Sequence, residues 1–319
     1  MVESVACRPL TYPQKSIWYL EKLNPGSGIG NIAATLRVAE VLDPALMTKA
    51  VQVLIERNEV LRFRFRELDG EPVQYLAPLE PYRLDFLDFR EMGQDALFAW
   101  DREQTRTPFR LVDQPLFHFA LLRIDETTSG FFARIHHLIS DAWSLIQIGN
   151  EVLSYYRLLK AGRPLPEGTN PSYSEFIEAE QEYLRSERFA SDRAYWTELF
   201  RVPPEVATLK SRTGGRIGLE AQRKTFLVPD RLATRIRTYC TENRTSMFAL
   251  FFSALCIYLN RVRDLQDITL GTPVLNRTNH REKKTLGMFI STVPLRVQID
   301  GDQDFVAFSR TVDKEWYSV

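Results

Sequence analysis

The sequence predicts a mixed α+β fold, α/β in the broad sense, divided into two subdomains. The chain has 319 residues, more than one typical hydrophobic core accommodates. Strand-like and helix-like apolar patterns both occur, without the strict alternation typical of a parallel sheet. Two glycines and three prolines fall within residues 161–171, near the middle of the chain, and predict a linker. We therefore expect an N-terminal domain at 1–165 and a C-terminal domain at 172–319.

The individual elements follow from apolar spacing and from residues that break regular structure. In the first half, the predicted helices are a segment that follows residues 11–14 and ends at residue 23, residues 44–58 and residues from about 140 to 160. The predicted strands are residues 31–38, 61–68, 72–76, 116–124 and 130–137. In the second half, the predicted helices are residues 173–200, a segment beginning after residues 229–230, residues 247–259 capped by Ser246, and the C-terminal segment. The predicted strands there are residues 223–228, 267–274 and 291–299, with a break at Gly214 and Gly215.

Composition and charge exclude several classes of protein. Lys+Arg and Asp+Glu number 41 each, whereas a nucleic-acid-binding protein usually carries a basic surplus. The longest mostly apolar run, residues 247–259, is too short to cross a bilayer, and the N-terminus lacks the pattern of a signal peptide. Three widely separated cysteines form no disulfide framework. We therefore expect a cytoplasmic protein that binds neither nucleic acid nor membrane.

Two adjacent histidines end the predicted strand at 130–137. Side chains alternate along a strand, so His137 shares a face with Ile135, and His136 points to the opposite face. Neighbouring histidines so arranged do not readily bind one metal ion, and no Cys/His cluster has zinc spacing. Taken singly, the ordinary interpretations are a packed strand histidine and, for Asp141, a helix N-cap. We therefore expect no bound metal ion. The sequence has neither a complete dinucleotide-binding glycine motif nor a P-loop, so we expect no bound cofactor.

The whole pattern favours a more specific interpretation. The run His-His-Leu-Ile-Ser-Asp at 136–141 resembles the active-site motif of condensation domains of nonribosomal peptide synthetases, which have a chloramphenicol acetyltransferase-like fold. The family usually has glycine after the aspartate, where this chain has Ala142. Four further segments resemble the first, second, fourth and fifth core motifs, in that order: residues 10–19, 55–65, 173–177 and 286–292. Independent packing roles would not explain this order.

The resemblance implies two chloramphenicol acetyltransferase-like subdomains arranged in a V. It also implies a function: amide bond formation between a thioester-bound acyl donor and an aminoacyl group on a carrier protein. His137 would act at the reacting centre, as a base or by hydrogen bonding to the oxyanion, with His136 and Asp141 as its catalytic companions. Asp141 would form a structural ion pair with Arg277 across the subdomain junction. The substrates would be carried on the phosphopantetheine arms of carrier domains beside an adenylation domain.

Two finer expectations also come from the resemblance. Residues 14–31 look most like starter condensation domains, which transfer a fatty acyl group to the first amino acid of a lipopeptide. Further family motifs normally follow the fifth one, so the second subdomain is expected to be incomplete. The alternatives are a free-standing CoA-dependent acyltransferase, an epimerisation domain, and an inactive truncated remnant that only binds carrier protein.

Overall fold

The computed structural model describes residues 6–207, 209 and 224–318. Numbered along the chain, the helices are α1 (Tyr12–Leu23), α2 (Pro44–Arg57), α3 (Gly93–Arg106), α4 (Ala142–Lys160), α5 (Tyr173–Tyr183), α6 (Glu187–Leu199), α7 (Asp230–Asn243), α8 (Met247–Arg263), α9 (His280–Lys284) and α10 (Phe305–Ser318). The strands are β1 (Arg8–Pro9), β2 (Asn31–Val38), β3 (Phe63–Leu68), β4 (Glu71–Leu76), β5 (Asp85–Asp88), β6 (Phe117–Arg123), β7 (Ser129–His136), β8 (Asp267–Val274) and β9 (Ser291–Gln298).

The chain divides into two compact units. The first contains Met1–Ser186 and Leu275–Ile290, and the second contains Glu187–Val274 and Ser291–Val319. After passing through the second unit, the chain therefore returns to the first unit at residues 275–290. As a result, residues near 141 and residues near 277 belong to the same unit.

The first unit is built on a four-stranded sheet with the order β2-β7-β6-β5. Strand β5 is parallel to β6, and the other pairs are antiparallel. All eight residues of β7 are buried, because both faces of this strand are covered. Phe131 and Ile135 belong to the main core, whereas Phe132 packs with Leu97 of α3 in a smaller cluster. A second sheet has the order β1-β4-β3.

The second unit has its own core. Among the described residues, β8 and β9 form an antiparallel pair, and buried side chains of α8 and α10, such as Cys256 and Val312, belong to one cluster. Ser246 caps α8, as predicted, by accepting a hydrogen bond from the Ala249 N–H. No single described helix is long and apolar enough to cross a membrane. Helices α7 and α8 pass that test only as a pair bent by 101°.

Several predicted elements differ from those in the structure. Residues 59–62 form a 3-10 turn, so β3 begins later than predicted. The predicted helix 173–200 is two helices, α5 and α6. Residues 224–228 are exposed and form no strand, and Arg223 and the Gly214–Gly215 break lie outside the described residues. The sequence interpretation also missed β5 and α3; most residues of α3 are polar or charged, and Leu97 is its one buried residue.

The predicted linker is attached to the first unit. The guanidinium of Arg57 donates to the carbonyl oxygens of Pro166 and Gly168, at 2.6 and 2.5 Å. Helix α5 follows, and Tyr173 is buried in the first unit's core. The predicted boundary at 165–172 therefore does not coincide with the division between the compact units, because α5 packs with the residues before the linker.

Candidate active site

Hydrogen bonds from three separate segments fix the backbone around the two histidines. The N–H of His136 donates to the Leu116 carbonyl at 2.9 Å, and the N–H of His137 donates to the Gly30 carbonyl at 2.7 Å. The side-chain amide of Gln14, on α1, donates to the carbonyl of Leu138 at 2.8 Å. These bonds define the path of the turn between β7 and α4, and thus the position of the His137 ring.

The His137 ring has a defined tautomer when it is neutral. Its Nδ1 lies 3.1 Å from the carbonyl oxygen of Ser140. A carbonyl oxygen only accepts, so Nδ1 carries the proton and Nε2 has a free lone pair. No described residue hydrogen-bonds this Nε2. The partly buried ring can therefore accept a proton at Nε2.

The environment also favours the neutral form. Burial lowers the pKa of His137 below its ordinary value of 6.5, and the nearby His136 lowers it further. The Ser140 carbonyl and the Asp141 carboxylate act in the opposite direction, but burial has the largest effect. At neutral pH most molecules therefore carry an unprotonated Nε2, as a general base requires.

This shift gives a testable pH dependence. An NMR titration of the histidine ring signals, assigned with His137→Ala, is expected to give a midpoint below 6.5 for His137. Turnover limited by this group should fall as the pH is lowered through that midpoint, because protonation removes the base. A midpoint above 6.5 would mean that Ser140 and Asp141 outweigh burial, contrary to this interpretation.

The neighbouring His136 has different surroundings. It is 1% exposed, and its Nε2 lies 3.2 Å from Oε1 of Glu21. Its Nδ1 accepts the N–H of Leu138 at 3.1 Å. Both ring nitrogens are thus engaged within the protein. The catalytic assignment of His136 stays a prediction, and these contacts favour a positioning role.

Glu21 was not identified from the sequence as part of this site. It lies on α1, 115 residues before His136, and no motif joins the two positions. One sequence pattern could have indicated that Glu21 is buried: it lies three residues after Trp18, and residues three apart share a helix face. In the structure both side chains are buried. Burial raises the pKa of the Glu21 carboxyl, but hydrogen bonds from His136 and the Gly30 N–H outweigh burial, and the pKa lies below 4.5.

Asp141 and Arg277 form an ion pair in which both side chains are 0% exposed. Nη1 of Arg277 donates to Oδ2 at 2.5 Å, and Nη2 donates to Oδ1 at 3.2 Å. Asp141 also caps α4 by accepting the Ser144 N–H at 2.9 Å, and it accepts the Phe289 N–H at 3.1 Å. The Arg277 guanidinium lies 4.0 Å from the Phe289 ring centroid. The aspartate therefore joins the start of α4 to the segment 275–290.

The structure thus brings together all four residues singled out from the sequence. His136 ends β7, His137 lies in the turn that follows, and Asp141 is the N-cap of α4. Arg277 reaches Asp141 from a position 136 residues later. All four belong to the first compact unit, so this pair does not join the two units as the resemblance implied. Within residues 6–207, 209 and 224–318, no group of three or more His, Cys, Asp or Glu is placed to hold a metal ion.

The family model of the condensation domain matches residues 6–319. The chain belongs to this family. It is 40% identical over 305 residues to surfactin synthase subunit 1 of Bacillus subtilis (strain 168), and 35% identical over 312 residues to a plipastatin synthase polypeptide of the same organism. These matches cover 94% and 97% of the chain but 8% and 12% of the relatives. The chain therefore spans about a tenth of these much larger synthetases.

Solved structures confirm the predicted mixed fold. A mutant starter condensation domain of rhizomide synthetase, in complex with C8-CoA, has a TM-score of 0.87 at 27% identity, over 98% of this chain and 71% of that one. The first condensation domain of the calcium-dependent antibiotic synthetase has a TM-score of 0.86 at 24% identity, over 98% of this chain and 74% of that one. The second likeness is evidence for the fold alone.

Proposed function

We infer that this chain is an acyltransferase that forms an amide bond in nonribosomal peptide synthesis. The acyl donor is a thioester, and the acceptor is the amino group of an aminoacyl group on a carrier protein. Membership of the condensation domain family supports this reaction class. The observation that carries it is the His137 ring, whose Nδ1–H is held by Ser140 while Nε2 remains free.

In the proposed reaction, the acceptor nitrogen attacks the thioester carbonyl carbon. Nε2 of His137 takes the proton that the nitrogen loses, the new C–N bond forms, and the C–S bond breaks. The departing thiolate then takes the proton from Nε2, which restores the neutral ring. Since the Nδ1–H already donates to Ser140, a neutral His137 has no second N–H for an oxyanion. This geometry favours the role of base over that of hydrogen-bond donor.

Asp141 and Arg277 support the site without contacting substrate in this proposal. Their side chains are fully buried, so neither is exposed to an incoming group. The bond from Phe289 and the cap on α4 connect the histidine turn to the segment 275–290. The pair therefore fixes the helix that begins directly after the turn.

The proposed donor is a fatty acyl thioester, as in initiation of a lipopeptide. The likeness of residues 14–31 to starter domains supports it, and so does the structural likeness to a starter condensation domain in complex with C8-CoA. The proposed partners are acyl or peptidyl carrier proteins bearing phosphopantetheine and an adjacent adenylation domain, since the relatives are large synthetases. We propose no cofactor bound by the chain itself, and a cytoplasmic location.

Intact-mass spectrometry tests this function directly. An aminoacyl-loaded carrier protein is mixed with octanoyl-CoA and this chain, and the carrier protein is weighed. The expected result is a mass gain of one octanoyl group, and release of the thioester-bound product should yield an N-octanoyl amino acid. The same reaction with His137→Ala serves as the matched control.

Other outcomes separate the alternative functions. Acylation of a free amine or alcohol, with no gain on the carrier protein, would indicate a CoA-dependent acyltransferase. Inversion of the carrier-bound aminoacyl group would indicate an epimerisation domain. Binding of the carrier protein without any acylation, by any donor offered, would contradict the proposed activity and support a carrier-binding role.

A further inference from the structure

We propose that Glu21 is a positioning residue for His137, acting through His136 and Gly30. The proposal deepens the function proposed above and rests on it. It follows from hydrogen bonds that connect the Glu21 carboxylate to the backbone carrying the catalytic ring. Glu21 itself is 8% exposed, and it does not contact the reacting atoms.

One oxygen of Glu21 holds two groups at once. Oε1 accepts the Gly30 N–H at 2.6 Å and lies 3.2 Å from Nε2 of His136. The carbonyl of the same Gly30 accepts the His137 N–H at 2.7 Å. Glu21 therefore reaches the backbone of His137 by one route through Gly30 and by a second route through His136.

The contact with Glu21 also selects the tautomer of His136. A carboxylate only accepts, so Nε2 of His136 carries a proton, and Nδ1 of the neutral ring has a lone pair. That lone pair accepts the Leu138 N–H at 3.1 Å. In the other tautomer, Nδ1–H and the Leu138 N–H would be two donors facing each other. By fixing the tautomer, Glu21 fixes the peptide that follows His137.

The close packing at Gly30 supports the same arrangement independently. A Cβ at this position would lie 2.3 Å from Nε2 of His136 and 2.8 Å from Oε1 of Glu21. Both distances are well inside van der Waals contact, so only glycine allows the carboxylate and the ring to meet here. Gly30→Ala is therefore expected to separate His136 from Glu21 without removing either group.

The experiment compares Glu21→Met, Glu21→Gln and the surface control Glu67→Met. Methionine approximates the length of glutamate but does not replace its carboxylate as an acceptor. Glutamine keeps a carbonyl oxygen that can take both hydrogen bonds. We expect Glu21→Met to lower kcat by about 10–100-fold with KM near the wild-type value, since misplacement of a catalytic group acts on the chemical step. Glutamine should restore most of kcat, and Glu67→Met should resemble wild type.

Ring ¹⁵N shifts give a readout that does not depend on turnover. In the wild type, we expect His136 to have a protonated Nε2 and an unprotonated Nδ1. In Glu21→Met and Gly30→Ala, a fraction protonated at Nδ1 should appear, and the His137 ring signals should move. Circular dichroism establishes that each variant is folded, and Gly30→Ala tests the same contact if methionine prevents folding.

The two readouts separate failure of this proposal from failure of the proposed function. In one outcome, the wild-type protein forms no amide, but its ¹⁵N shifts are as expected and they change in Glu21→Met. This result would contradict the proposed function and support the contact between Glu21 and His136. An active wild type whose His136 tautomer and kcat are both unchanged in Glu21→Met would overturn the role of Glu21. Loss of kcat that glutamine does not restore, with the tautomer unchanged, would also overturn it.

Discussion

Replacing His137 with alanine is expected to lower turnover by about 10²–10⁴-fold, the usual contribution of general acid–base catalysis, while the fold survives. Among the residues that the structure describes, the ring makes one side-chain hydrogen bond, from Nδ1 to the Ser140 carbonyl. The N–H of residue 137 still donates to Gly30 in the variant, because that bond belongs to the backbone. The expected loss therefore lies in the chemical step. Amide formation on the carrier protein measures it.

Two variants make this result interpretable. His118→Gln changes a histidine on β6 that pairs with Asp85, so turnover should stay at the wild-type level. His137→Gln keeps a hydrogen-bonding side chain but offers no comparable base, and we expect a loss similar to that of alanine. Near-normal turnover in His137→Gln would favour hydrogen bonding to the oxyanion, and wild-type turnover in His137→Ala would exclude a catalytic role.

Replacing Asp141 with alanine is expected to destabilise the first compact unit by about 3–5 kcal/mol and to lower turnover. The change leaves the buried guanidinium of Arg277 without its counter-charge, and a stranded buried charge costs this much. Loss of the helix cap alone would cost only about 1 kcal/mol. Thermal unfolding followed by circular dichroism measures the effect, which corresponds to a lower melting midpoint on the order of 10 °C.

Further variants separate the charge from the cap. Asp141→Asn retains an oxygen that can accept the Ser144 N–H. If the charge of Asp141 accounts for most of its contribution, this variant should be destabilised nearly as much as Asp141→Ala. Combining Asp141→Ala with Arg277→Met should cost less than the sum of the single changes, because no unpaired charge remains. Glu175→Ala breaks the exposed pair with Arg281 and should leave the midpoint nearly unchanged. Additive losses in the double variant would contradict a coupled ion pair.

Local chemistry in the sequence is enough to predict many elements of the fold. The strands at 31–38 and 267–274 have the predicted bounds, since β-branched and apolar residues there lie between clear breakers. The cap at Ser246 is likewise a local hydrogen bond, to a residue three positions later. The motif at 136–141 is also local, so the sequence indicated the family and the candidate residues His136, His137 and Asp141, and the family resemblance added Arg277, before any contact was known.

Other features depend on what surrounds a segment. The break between α5 and α6 and the exposed conformation of residues 224–228 do not follow from apolar spacing. Helix α3 consists mostly of polar and charged residues, and Leu97 is its one buried residue. Membership of residues 275–290 in the first unit required the folded chain, since packing between distant segments leaves no spacing in the sequence.

The candidate site shows the same division between local and tertiary information. The sequence by itself determined the family, the mixed fold and the segment 136–141, which carries His136, His137 and Asp141. Only the tertiary structure decided which nitrogen of His137 is free, because Ser140 holds the other one in the folded turn. It also decided that Glu21 meets His136, because that contact joins side chains 115 residues apart. Tautomer, burial and pKa depend on neighbours in space, and neighbours in space are set by the packing of the whole unit.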